Sequence, residues 1–137
     1  MPPAIEGTGG LTEGVGMNIE TALKEAMSLD GAIGAALVDY ESGMTLGTIG
    51  GGNELNLEMA AAGNTEVVRA KVRTLASLGI QDSIEDILIT LTRQYHLIRV
   101  LRSSGGSLFL YLALDRQRAN LALARHSLKQ IETGLQV

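Results

Sequence analysis

The sequence contains no cysteine. Disulfides and thiolate metal centres are therefore excluded, and the redox environment cannot be read from thiols. Aromatic residues are scarce, at three tyrosines, one phenylalanine and no tryptophan. That argues against a platform on which single-stranded nucleic acid could stack. Cationic residues are outnumbered, eleven Lys and Arg against fifteen Asp and Glu, for a net charge of −4. Proteins that gain affinity by neutralising phosphates carry the opposite balance, so no nucleic-acid partner is expected. No apolar run is long enough to cross a bilayer. The N-terminus has no basic region followed by an apolar core, so no secretory signal is read and a cytoplasmic protein is expected.

What is present is 137 residues, 45% apolar and 19% charged, enough for one domain with a real core. Residues 1–16 are dense in glycine, hold both prolines and show no periodicity, which predicts a flexible tail ahead of one domain over 17–137.

The segment from Asn53 to Gly79 reads as one long helix with two apolar stripes. Leu57, Ala61, Val68, Val72 and Leu75 fall on one side. Met59, Gly63, Val67, Ala70 and Leu78 fall on another, with Ala60 beside them and Thr74 inside the stripe. Asn64 and Lys71 lie between, and Glu58, Glu66, Arg69 and Arg73 share the remaining arc. One stripe suffices for a surface helix. The second needs a cover, either depth within its own domain or another copy of itself. The small residues Gly63 and Ala70 at its centre would let two helix axes approach closely.

Around this helix the other elements follow in order. Asn18 is placed to cap a first helix carrying Ile19, Ala22, Leu23, Ala26 and Met27, ended by Gly31. Residues 32–40 read as a strand apolar on both faces, with Ile33, Ala35 and Leu37 on one and Ala32, Gly34, Ala36 and Val38 on the other. A turn closed by Gly43 leads to a returning strand over 44–49. Three strand-like runs follow, at 83–91, 95–102 and 107–114, joined by short links that imply an antiparallel meander. A last helix is predicted over 116–132 with Asp115 as its cap, a buried stripe of Leu121, Ala124, Leu128 and Ile131, and fraying from Thr133 onward.

The expected architecture is α/β in composition (α+β), α-β-β-α-β-β-β-α, with a five-stranded antiparallel sheet in the order 2-1-5-4-3. The long helix should cover one face and the terminal helices the other. The third strand is then an edge, and IEDILITL is too apolar to be left open. Pairing with a twin would cover it, so edge and helical stripe point to one two-fold dimer. The expected contact residues are Met59, Gly63, Val67, Ala70, Thr74, Ile87 and Ile89. Glu66, Arg69 and Arg73 are candidates for meeting a further partner, although such charges are more often solvated or paired with one another.

Motifs for chemistry are missing. Gly50-Gly51-Gly52 lacks the Gly-Lys-Ser/Thr of a phosphate-binding loop and reads as a flexible connection. His96 and His126 have no ligand spacing. No serine has a nucleophile context, and no acidic pair comes with a facing acid. No cofactor, metal or catalytic residue is assigned.

Several local sequences in this order resemble the Roadblock / dynein light chain family, which has a profilin-like fold. They are GAIGAALVD with its turn closed by Gly43, the alanine-rich LNLEMAAAGNTEVVRAKVRTL, and LFLYLALDRQRANLALARHSL. The likeness spans about Met17 to Ile131, as judged from these element boundaries. It implies homodimers or paired heterodimers whose long helices pack side by side and whose sheets join across the two-fold. It also implies non-catalytic partners of Ras-like small GTPases, or light chains and scaffolds. In the bacterial polarity branch, a dimer speeds hydrolysis by repositioning the GTPase's own residues. The expectation is a non-enzymatic homodimer that binds and regulates such a GTPase in signalling or polarity. The alternatives are a small-molecule-sensing domain or a purely structural, light-chain-like scaffold.

Overall fold

Each of the three helices among the described residues begins at an asparagine whose side chain accepts a backbone N–H that the first turn leaves unpaired. In the computed structural model, which describes residues 16–102 and 106–136, Asn18 accepts from Thr21 N at 2.8 Å and starts α1, Ile19–Met27. Asn56 accepts from Met59 N at 3.0 Å and starts α2, Leu57–Ser77. Asn120 accepts from Leu123 N at 3.0 Å and starts α3, Leu121–Gly134. Most of the tail expected over 1–16 lies outside the described residues, as do part of the last strand connection and Val137.

The strands are β1 (Ala32–Asp39), β2 (Met44–Gly50), β3 (Asp86–Thr90), β4 (Gln94–Val100) and β5 (Leu108–Asp115). They form one antiparallel sheet in the order β2-β1-β5-β4-β3, the expected order. The core has two layers. On one face, Ala35, Leu37, Leu97, Leu110, Leu112 and Leu114 meet Leu23 of α1 and Leu128 and Ile131 of α3. On the other, Ala36, Val38, Ile98, Phe109, Tyr111 and Ala113 meet Leu57, Ala61 and Val68 of α2.

Four details differ from the sequence reading. Ile33 packs on the α2 side and Ala32 on the other, because the register of β1 against β5 shifts between Ala32 and Gly34 and flips the alternation before it. Asp115 does not cap α3. It ends β5, its carboxylate accepts from Gln117 N at 3.0 Å, and its carbonyl accepts from Arg118 N and Ala119 N, so a turn precedes the helix. The C-terminus is held as far as Gln136: Met17 N donates to Gly134 O at 2.6 Å, and Gln136 N donates to Met17 O at 2.9 Å. The triple glycine is an ordered turn. Its three residues have φ of 83°, 82° and 54°, and Gly51 N donates to Ile33 O at 2.8 Å.

A buried ion pair adds a feature the sequence did not announce. Arg99 Nε lies 2.8 Å from Glu132 Oε1, while Arg102 N donates to Oε2 at 2.8 Å. The pair ties β4 and the strand end to the last turn of α3.

The two faces are covered unequally. Five strands at about 4.8 Å spacing make a sheet roughly 20 Å wide, and a helix with its side chains is about 10 Å across. Two helices cover the α1/α3 face. Among the described residues a single helix, α2, covers the other, and it lies toward the β1–β2 end. The β3 side of that face is left open.

A Cβ at Gly51 would stand 2.5 Å from Leu55 O, in a left-handed conformation. At Gly52 it would meet nothing within 4 Å. Gly51→Ala should therefore lose at least about 2 kcal/mol in urea unfolding, and Gly52→Ala only about 1 kcal/mol. Equal losses would contradict an ordered turn.

Candidate functional site

The open half of the α2 face is where the residues expected to meet a second copy come together. The burial of α2 follows Leu57, Ala61, Asn64, Thr65 and Val68. Two residues assigned to the inner stripe depart from it: Val72 is 41% exposed and Leu75 is half-buried. Asn64 and Thr65 take inner positions instead, with Thr65 Oγ1 donating to Ala61 O at 2.7 Å. The second stripe faces solvent within the single chain. Met59 is 72% exposed and Val67 37%, and Ala70 and Thr74 are exposed. A Cβ at Gly63 would touch nothing within 4 Å. The stripe is thus not explained by depth within its own domain.

Across from it lies edge strand β3, shorter than expected, with Ile87 and Ile89 half-buried. Ile87 belongs to the α2-side layer. Between helix and edge runs a cleft of about 770 Å³, with Val67, Ala70 and Thr74 on one wall and Ile84 and Ile87 on the other. At its rim Arg125 of α3 reaches round the edge and holds both Asp86 carboxylate oxygens at 2.9 Å. That clamp fixes the start of β3.

The three charged candidates have different fates. Arg69 is occupied: Nε donates to Tyr40 O at 2.7 Å, a second nitrogen donates to Glu41 O, and a third lies 3.5 Å from Glu66. It anchors the β1–β2 turn to α2. Asp39 organises the same turn, accepting from Ser107 Oγ at 2.6 Å and Glu41 N at 3.0 Å. The Ser107 bond, then that of Glu41, lowers its carboxyl below the usual value. Glu66 and Arg73 are exposed.

Solved structures share this fold. One is a Roadblock/LC7 domain from Streptomyces avermitilis, with a TM-score of 0.71 and 11% identity over 85% of this chain and 93% of that one. Another is MglB from Myxococcus xanthus, at 0.67 and 17% over 83% and 85%. A third, MglB with a tetrameric arrangement, gives 0.67 and 20% over 82% and 81%. The chain has the Roadblock fold. Neither a family model nor a curated protein matches the sequence itself.

On the open side of this Roadblock sheet sits a polar chain that spacing rules missed. The Tyr111 hydroxyl lies 3.1 Å from His96 Nδ1, and His96 Nε2 lies 2.7 Å from Gln94 Oε1. The rings meet edge to face at 5.4 Å. A neutral imidazole satisfies both bonds, accepting at Nδ1 and donating from Nε2. Burial pushes the Tyr111 hydroxyl up to about 12, with Asn64 of α2 opposing through a hydrogen bond. Burial also lowers His96 from its ordinary 6.5. Among the described residues no three His, Asp or Glu side chains are placed to hold a metal ion. No described helix is long and apolar enough to cross a membrane.

The lowered His96 value has a sign. Its stabilising effect is full above pH 6.5 and is lost as pH falls from there toward the folded value, because the unfolded chain takes the proton first. Urea midpoints should drop as pH is lowered from about 7.5 to 5, and His96→Gln should flatten that part of the profile. An unchanged slope in the variant would contradict the assignment.

Proposed function

We propose that this chain is a non-catalytic homodimeric interaction module that binds and regulates a Ras-like small GTPase. The observation that carries the reading is the open α2 stripe and the β3 edge facing each other across one apolar cleft. In the proposed dimer the α2 helices pack side by side along Met59, Gly63, Val67, Ala70 and Thr74. The β3 edges, with Ile87 and Ile89, approach across the two-fold. The MglB structure with a tetrameric arrangement lends support by example, as a self-associated protein of the same fold. The GTPase enters through the family resemblance in the sequence, which brings Ras-like partners with it. The joined helices would offer a broad platform, with Glu66 and Arg73 at its charged border. Regulation by such a platform needs no catalytic group of its own.

Gly63→Leu with Ala70→Leu tests the seam. Both positions are exposed in the single chain, so the fold should survive while bulk separates the helices. Light scattering should give twice the 14.4 kDa chain mass for the unaltered protein and a single chain for the variant. An unchanged mass in the variant would place the seam elsewhere. The partner is tested by titrating the protein into a Ras-like GTPase from the same genome, loaded with GDP or a GTP analogue. Binding that prefers one nucleotide state supports regulation. A dimer that binds neither state would favour the alternatives, a small-molecule-sensing domain or a light-chain-like scaffold.

A further inference from the structure

At the opposite end of the sheet from the β1–β2 turn, the β3–β4 link, the β5–α3 turn and the start of β1 enclose a polar cleft of about 780 Å³. That is within the size range of small-molecule sites. Three of the chain's eleven cationic side chains, Arg93, Arg116 and Arg118, line it, although the protein as a whole carries a net charge of −4. Arg116 is held in place. Its Nη1 donates to Leu91 O at 2.8 Å and its guanidinium lies 5.0 Å above the Tyr95 ring. Arg93 and Arg118 are exposed and make no side-chain hydrogen bond or ion pair to any described residue. One fixed and two uncommitted guanidinium groups line one concavity, and each is a planar fork of donors suited to phosphate oxygens.

Two carboxylates share the lining, Glu54 and Asp115. The Asp115 carboxylate is partly committed, accepting from Gln117 N at 3.0 Å. Glu54 makes no side-chain bond to a described residue. A bare anion would be repelled by these groups. A molecule carrying hydroxyls beside its phosphate would use them as acceptors, with Gln117 adding a neutral donor and acceptor. We infer that this cleft binds a small hydroxyl-bearing phosphomonoester, its phosphate on Arg93, Arg116 and Arg118 and a hydroxyl on Glu54. The inference stands apart from the dimer and the GTPase, since it uses none of the α2 or β3 seam residues.

The test is calorimetric titration of the full chain at low ionic strength with ribose 5-phosphate, and with inorganic phosphate and ribose as separate probes. Ribose 5-phosphate should bind, and more tightly than either probe alone. Arg93→Ala with Arg118→Ala should weaken it about a hundredfold, since each of the two lost charge-assisted bonds is worth about tenfold. Glu54→Gln should weaken ribose 5-phosphate while leaving inorganic phosphate as tight or tighter. The variants should keep the unaltered protein's mass and melting temperature, because neither arginine supports the fold. Absence of binding by ribose 5-phosphate would overturn the proposal. So would binding that the double arginine variant retains, or an affinity no better than that of inorganic phosphate.

Discussion

A sheet about 20 Å wide that is apolar on both faces needs two helices on each, and the described residues supply three. The rest of the structure follows from that shortage. α1 and α3 close one face and bury a continuous leucine layer beneath them. On the other, α2 covers the β1–β2 end and leaves the β3 side uncovered. The helix then carries apolar residues on a flank that its own sheet cannot reach. Excess apolar surface of this kind marks an interaction site.

The polar features serve to hold that arrangement. Arg69 fastens the β1–β2 turn to α2, Arg125 fastens the start of β3 to α3, and the buried Arg99–Glu132 pair fastens β4 to α3. Removing one member of a buried pair typically costs about 3–5 kcal/mol, because the other charge is left without compensation. Each of these ties spans elements far apart in the chain.

Much of this was legible in the sequence for a simple reason. Strands apolar on both faces, such as 108–114, belong at the centre, and with the hairpin and meander that the short links imply this sets the strand order. The open stripe was legible because Gly63, Val67 and Ala70 recur at helical spacing on a second flank. What escaped depends on contacts between distant residues. Nothing local to Arg99 announces Glu132, and nothing in His96 announces Tyr111. The side taken by Ile33 depends on a register shift that no alternation rule contains. Arg69 looked free on a helical wheel because the wheel does not show the carbonyls of Tyr40 and Glu41 arriving from a turn. The arginine cleft was equally hidden, since its three members come from two loops that meet only in the folded chain.

The central claim is that a second copy closes the open half of the α2 face. Hydrogen exchange of the β3 and α2 backbone, followed across a wide range of protein concentration, reads this directly. The account predicts that protection at Ile87–Ile89 and along Val67–Thr74 rises with concentration while the β1 and β5 amides stay constant. Exchange in β3 that stays fast and independent of concentration would contradict it.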